Sequence, residues 1–346
     1  MAKGVEDCAF YRWSRLTSLN EVGGDPSVFA VSPEDFHAAM ADRLRDWPDA
    51  MTASSTHDTK RGEDVRARIS VLAEIPDAWE SALDELLSLA PVPDPGFGAL
   101  LWQAVVGAWP APHPDLRARL HGYAEKAMRE AGDRTQWTAP DEAYEAAVHA
   151  AVDAAFDDPH ATKVIEDLVA RTAGPGWSNA LSAKLLALTM PGVPDVYQGS
   201  ELWEQSLVDP DNRRPVDFDR RAALLEADDR ALTTAYDDAG VAKLAVTRAA
   251  LTLKRSRPQL FGSYDALAAE GEAADHALAF DRGGAVTVVT RLPVGLAVRG
   301  GWGDTALRLP SGCWTEQVSG RTFTGRVELA DLLGDLPVAL LAEEGR

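Results

Sequence analysis

The sequence predicts an α/β fold that is followed by an all-β domain. Two stretches predict the α/β part: strand-like residues run into a helical pattern near residue 63, and a second strand-like stretch follows a buried helical segment near residue 190. Short β-prone runs separated by Gly, Pro and Asp fill the chain beyond residue 262 and predict the all-β part.

The first strand–helix unit has a clear helix in front of it. Ser32 has the character of an N-cap, and Pro33 suits the first turn of a helix. The apolar stripe that follows has helical spacing: Phe36, Met40, Leu44 and Trp47. Residues 50–56 then predict a short buried strand, and a new apolar stripe predicts a helix that begins near Glu63.

The middle of the chain, from about residue 77 to 190, has a helical, alanine-rich pattern. Breaks are expected at 91–96, 109–114 and 173–176, where proline and glycine cluster. The segment 178–190 is apolar on most faces, which predicts a buried helix. Because a strand-like stretch follows it directly, the sequence predicts a second strand–helix unit.

Composition and charge restrict the classes of partner. Acidic residues outnumber basic ones, 54 to 34, and the net charge of −20 disfavours a nucleic-acid partner. No apolar run approaches the length of a membrane span, so no membrane partner is expected. The two cysteines lie far apart, and the start of the chain lacks the pattern of a signal peptide. The sequence therefore predicts a cytoplasmic protein.

A dense charged turn follows the first predicted strand. His57 and Asp58 open it, and further carboxylates and cations continue to Arg68. In an α/β barrel the carboxyl ends of the strands face the active site, so Asp58 would point into the mouth and His57 could donate to a sugar hydroxyl. Two other readings exist. Acidic residues here could serve the dipole of the next helix, or the His-Asp pair could belong to a metal-dependent phosphohydrolase, which needs further ligands.

Several long segments, in order, resemble the maltooligosyl trehalose synthases, a branch of the α-amylase superfamily. The stretch STHDTKRGEDVRAR closely resembles their catalytic segment after barrel strand seven. MAKGVEDCAFYRW and LNEVGGDP resemble an earlier segment of the family, and KAMREAGDRTQWTAPDEAYE resembles its helical subdomain. PGVPDVYQGSELWEQSLVDPDNRRPVDF resembles the turn after strand eight.

The resemblance implies the last part of a (β/α)8 barrel with a helical insertion, followed by an antiparallel β-sandwich. It divides the chain into a barrel segment with strand seven, the helical insertion, strand eight with the following barrel helices, and the sandwich: 1–75, 76–177, 178–255 and 256–346. The segments of the family that correspond to barrel strands one to six find no counterpart in this sequence.

The resemblance also implies a reaction. The family converts the reducing-end α-1,4 linkage of a maltooligosaccharide to an α,α-1,1 linkage by intramolecular transglucosylation, and neither a cofactor nor a metal is expected.

Retaining chemistry needs a nucleophile and an acid/base about 5 Å apart. The family carries both on strands four and five, so a missing N-terminal barrel half, in the same or a separate chain, is an expected partner. The chain alone is expected to be inactive. The alternative is a non-catalytic fragment that binds maltooligosaccharides.

The site residues implied by the resemblance centre on Asp58 as the third catalytic carboxylate. The residues expected to bind substrate are His57, Lys60, Lys3, Arg61, Asp209, Asn212 and Arg213. Ordinary surface positions are the alternative for the two lysines. Arg61 could instead orient the loop through an ion pair with Asp64, and residues 209–213 could form a turn held by Asx-type hydrogen bonds.

Overall fold

The computed structural model describes residues 2–109, 115–226 and 240–345, apart from the side chains of Ala2 and Lys3. The helices are α1 Ala2–Arg12, α2 Pro33–Asp46, α3 Glu63–Ser70, α4 Pro76–Leu89, α5 Pro95–Ala108, α6 Leu116–Ala131, α7 Glu142–Asp157, α8 Pro159–Thr189, α9 Phe218–Glu226, α10 Val241–Ser256, α11 Pro293–Val298 and α12 Leu329–Leu332. The strands are β1 Met51–Ala53, β2 Val193–Asp195, β3 Asp265–Leu267, β4 Ala269–Glu270, β5 Ala277–Asp281, β6 Ala285–Thr290, β7 Ala306–Arg308, β8 Trp314–Glu316, β9 Thr322–Phe323, β10 Arg326–Glu328 and β11 Val338–Glu343.

These elements divide into two compact units. The helical unit comprises the described residues of Met1–Phe29, His57–Gly176 and Glu204–Arg214. The mixed unit comprises those of Ala30–Thr56, Trp177–Trp203 and Pro215–Arg346. Long stretches of the first unit are helical, whereas all the strands named above belong to the second. The four-part division expected from the sequence stays a prediction.

The core of the helical unit forms where α3 packs on α5. Val65 and Ile69 of α3 and Trp102 of α5 have no exposed surface. A Cβ at Gly107 would lie 2.8 Å from a methyl group of Val65, so only glycine permits so close an approach of the two helices. The predicted helix near Glu63 is confirmed, and this packing fixes the position of its first turn.

In the mixed unit, β1 pairs with β2 in parallel, with Met51 opposite Val193. Thr52 is the buried residue of β1, and its hydroxyl donates to the main-chain oxygen of Ala187 at 3.2 Å. The buried strand expected over 50–56 is therefore much shorter and largely exposed, since Met51 keeps 73% of its surface open. The helix predicted before it is confirmed, because the hydroxyl of Ser32 accepts the amide of Asp35 at 3.0 Å.

The strands after residue 262 form antiparallel pairs, as the sequence predicts. One sheet has the order β3-β5-β6-β11-β8-β9 and the other the order β10-β7-β4. β6 is buried along its whole length and pairs with both β5 and β11. The apolar run AVTVVT is thus explained by a central strand that is covered on both faces.

One expected break does not occur. The sequence predicts an interruption at 173–176, yet α8 runs through it with Pro175 inside the helix. Proline removes one helical hydrogen bond, but apolar residues are buried on both sides of it, including Leu168 and Leu181. A Cβ at Gly176 would lie 3.0 Å from the Cα of Arg68, so this glycine allows a close contact and does not end the helix. The break expected at 109–114 falls mainly on 110–114, which lie outside the described residues. The break expected at 91–96 occurs, since α4 ends at Leu89 and α5 begins at Pro95.

Candidate active site

Asp58 lies in the turn that leads into α3, and its side chain is 33% exposed. Its Oδ1 is 3.1 Å from Nζ of Lys60. The same ammonium group donates to the main-chain oxygen of Asp58 at 3.2 Å and lies 3.1 Å from Oδ1 of Asp7 on α1. Lys60 therefore joins the turn to α1 through two carboxylates, and this contact limits the orientations that Asp58 can take.

Lys60 is a buried cation. Its side chain is only 3% exposed, and its ammonium lies 5.0 Å from the centre of the Phe10 ring. Burial lowers the pKa of Lys60, but the hydrogen bonds and charges of Asp58 and Asp7 outweigh burial, so the pKa lies above its ordinary value. The ammonium thus stays charged at neutral pH, and it binds the two carboxylates as a cation.

The residues after the turn begin α3 and bind the segment 204–206. The amide of Gly62 donates to the oxygen of Ser206 at 2.8 Å, and Asp64 accepts the amide of Glu204. Glu63 and Asp64 form the acidic first turn of α3, where they suit the helix dipole. Asp58 precedes the helix, so the helix-dipole reading accounts for those two residues and leaves Asp58 to another role.

Two residues that the sequence pattern does not single out, Glu21 and Asn20, bind the turn and α1. Both carboxylate oxygens of Glu21 accept the amide of Lys60, at 2.8 Å each, and one also accepts the amide of Arg61 at 3.1 Å. Asn20 binds the last turn of α1 through the oxygens of Ala9 and Phe10. The signal was available, because both lie in the LNEVGGDP segment, but nothing local relates that segment to residue 60.

Arg61 lies wholly in the interior, with no exposed surface. Its Nη2 donates to the main-chain oxygen of Asn20 at 2.7 Å. Tyr123 lies nearby: burial raises the pKa of its hydroxyl, and the charge of Arg61 opposes that rise. This environment suits a residue that orients the turn, which is the alternative that the sequence left open. Asn20 is one partner of Arg61, and the ion pair with Asp64 stays a prediction.

The segment 209–213 approaches the turn through one residue. Asn212 is buried, and its amide donates to the main-chain oxygen of His57 at 3.1 Å. Asp209 instead pairs with Arg213, whose Nε lies 2.6 Å from its Oδ1, and its main-chain oxygen accepts from Lys126. The structure thus brings Asn212 to the turn and joins Asp209 and Arg213 to each other.

Two further residues predicted to bind substrate are His57 and Lys3. The side chain of His57 is exposed. Lys3 lies in the first turn of α1, and its side chain is outside the described part of the chain. Within the described residues, no group of three or more histidines, cysteines and carboxylates is arranged to hold a metal ion. No helix described here is long and apolar enough to cross a bilayer.

Comparison with known proteins decides the family. A curated protein of Mycobacterium tuberculosis (strain H37Rv), named for maltooligosyl trehalose synthase, is 49% identical over 349 residues, which is 99% of this chain. The chain belongs to the maltooligosyl trehalose synthase family. The chain spans less than half of the length of this relative, since the match covers 44% of the mycobacterial protein. No protein-family model matches the chain.

Solved structures of the family agree with this fold. The maltooligosyltrehalose synthase of Arthrobacter ramosus is 50% identical, with a TM-score of 0.96 over 99% of this chain and 45% of that one. A hypothetical maltooligosyl trehalose synthase of Sulfolobus tokodaii is 28% identical, with a TM-score of 0.78 over 98% of this chain and 45% of that one. The resemblance drawn from the sequence motifs is confirmed.

Proposed function

We propose that this chain is the portion of a maltooligosyl trehalose synthase that follows barrel strand six, and that Asp58 is its catalytic carboxylate. The complete enzyme would convert the reducing-end α-1,4 linkage of a maltooligosaccharide to an α,α-1,1 linkage. The observation that carries the proposal is Asp58 itself, a partly exposed carboxylate held at 3.1 Å by a buried ammonium in the segment that matches the family's motif.

The geometry suits a carboxylate that binds sugar hydroxyls. A retaining reaction passes through an oxocarbenium-like transition state and needs both a nucleophile and an acid/base. One carboxylate cannot fill both roles in the same step, so Asp58 acts as a third group that orients the distorted sugar. Lys60 holds the carboxylate of Asp58 at 3.1 Å, and an ionised carboxylate accepts strong hydrogen bonds from hydroxyls.

We assign the other residues by their surroundings. Lys60 is bound to two carboxylates and is buried, so we expect it to act on the sugar through Asp58. Exposed His57 is positioned to donate to a hydroxyl, and Asn212 holds its main chain. Arg61 orients the turn from the interior. Asp209 and Arg213, which bind each other, and Lys3 remain proposed substrate contacts at the rim.

The proposed architecture follows from the same family membership. β1 and β2 would be barrel strands seven and eight, and their parallel pairing supports this because neighbouring strands of the barrel run parallel. The helices from α4 to α7 would be the helical insertion, and the strands after residue 262 the β-sandwich. The partner is the N-terminal barrel half, in the same or a separate chain, in the cytoplasm and without a cofactor.

The test mixes the purified chain with a separately expressed N-terminal portion of the Arthrobacter ramosus enzyme. Loss of reducing ends from maltopentaose is followed for the chain alone, for the mixture, and for the mixture with Asp58→Asn. We expect activity in the mixture alone, and a loss of about 10²- to 10³-fold on substitution, the scale of removing a group that stabilises the transition state. The exposed Asp84 of α4 supplies the control Asp84→Asn, which should keep full activity.

Three outcomes would contradict the proposal. Activity of the chain alone would mean that its own residues supply all the carboxylates, and an active Asp58→Asn mixture would remove Asp58 from catalysis. A mixture that assembles but stays silent would favour the alternative, a fragment that binds maltooligosaccharides without turnover.

A further inference from the structure

Glu21 binds the main chain of the turn that carries Asp58. Its Oε1 and Oε2 each accept the amide of Lys60 at 2.8 Å, and Oε2 also accepts the amide of Arg61 at 3.1 Å. Its Oε1 accepts the amide of Val22 at 2.9 Å as well, which fixes the carboxylate on its own segment. A single side chain therefore satisfies three main-chain donors.

The carboxylate of Glu21 is buried, since the residue is only 6% exposed. A buried charge is tolerated where hydrogen bonds replace the lost hydration, and here backbone amides supply them. Arg66 adds a cation, with Nη1 at 3.8 Å from Oε2. Glu21 thus has little freedom to move, and the amides it binds are held equally firmly.

A second contact joins the same two segments. Arg61 donates through Nη2 to the main-chain oxygen of Asn20 at 2.7 Å. Residues 20 and 21 therefore hold residues 60 and 61 by both main chain and side chain. From there the connection to Asp58 is short, because the ammonium of Lys60 binds both the carboxylate and the main-chain oxygen of Asp58.

We infer that Glu21 is a positioning residue for the reaction proposed above, and that it acts by fixing Lys60 and, through it, the carboxylate of Asp58. This inference rests on the proposed function of Asp58. Glu21 itself needs no contact with the sugar. A displacement of about 1 Å at a catalytic group can cost about 10²-fold in rate, so the loss of this support is expected to reduce turnover.

Glu21→Gln is the sharpest substitution, because it keeps the shape and replaces one acceptor oxygen by a donor that faces backbone amides. Glu21→Asp keeps the charge and withdraws it by one methylene group. The control is Glu85→Gln, an exposed glutamate on α4 of the same unit. Amide hydrogen exchange at Lys60 and Arg61 is measured on each chain, and kcat and KM are measured after mixing with the N-terminal portion.

For Glu21→Gln we expect amide exchange at both positions to accelerate about ten- to hundredfold, as for the loss of a charge-assisted hydrogen bond. We expect kcat to fall about 10²-fold while KM changes less than about threefold. Glu21→Asp should recover part of kcat, and Glu85→Gln should match the wild type. If the Gln variant does not fold, a fall of about tenfold in kcat with unchanged KM in the Asp variant carries the same conclusion.

A merely structural role predicts a different pattern. A folded Glu21 variant with faster amide exchange but wild-type kcat would overturn the inference and leave the role of Asp58 intact. A silent wild-type mixture would instead overturn the proposed function, and this inference with it.

Discussion

Gly62 is the point where the turn that contains Asp58 meets the segment 204–206, and Gly62→Ala tests how tightly that contact is packed. A Cβ there would lie 2.0 Å from Oε2 and 3.0 Å from the main-chain oxygen of Glu204. The Glu204 side chain can move, but its Oε1 accepts the amide of Ser206 at 2.8 Å, and that hydrogen bond would be lost.

The expected destabilisation combines two terms. Overpacking of this kind costs about 1–3 kcal/mol, and a lost hydrogen bond costs about 1 kcal/mol more. A total of about 3 kcal/mol corresponds to a fall of about 6–12 °C in the melting temperature of a unit of this size. The measurement is differential scanning calorimetry of the chain.

The control is Gly122→Ala on α6, where an added Cβ meets nothing within 4 Å. Alanine is a better helix former than glycine by about 1 kcal/mol, so this variant should melt slightly higher than the wild type. If Gly62→Ala melts within about 1 °C of the wild type while Gly122→Ala behaves as expected, the close contact between the turn and Glu204 does not exist in solution.

Two further predictions concern pH and the pair α6–α7. Hydrogen bonds from Arg129 and Thr135 lower the pKa of Glu145 to about 2, with Arg129 as the larger cause. This carboxylate therefore stabilises the fold at neutral pH, and its contribution to stability disappears as pH falls from about 4.5 toward about 2. In thermal melts, Glu145→Gln should be less stable than the wild type at pH 7 and equal to it near pH 2. A difference in melting temperature that stays constant with pH would contradict this. Burial and the charge of His121 lower the pKa of His149 below its ordinary 6.5, so the unfolded chain takes up a proton first and stability falls as pH drops through 6.5. His149→Gln should flatten the dependence of the melting temperature on pH between about 7 and 5, and an unchanged slope would show that His149 is not its cause.

Local patterns in the sequence predict the helices well. The N-cap of α2 and the start of α3 depend on side chains a few residues apart, so capping and periodicity locate them. The same rules fail at 173–176, because tertiary burial on both sides of Pro175 keeps α8 continuous. β1 is shorter than expected: only Met51–Ala53 pair with β2, and the predicted continuation through Ser54 and Ser55 is not part of the strand.

The candidate site is only half visible in the sequence. The resemblance of one motif to the family indicates Asp58 and Lys60. The comparisons confirm the family of the chain. The support from Glu21 and Asp7 could not be predicted, because hydrogen bonds and ion pairs between distant segments leave no periodic signal. Arg61 illustrates the limit: a charged residue in a polar turn suggests exposure, yet folding places its guanidinium in the interior.

The linkage that the assembled protein forms gives the most direct test of the proposed function. Maltopentaose is incubated with the chain mixed with the N-terminal portion of the Arthrobacter ramosus enzyme, and the anomeric protons of the product are assigned by NMR. We expect an α,α-1,1 linkage in the product of the wild-type mixture, and at least about 10²-fold less of it in the same time with Asp58→Asn. The same linkage formed at the wild-type rate with Asp58→Asn, or formed by the chain alone, would contradict the proposed function.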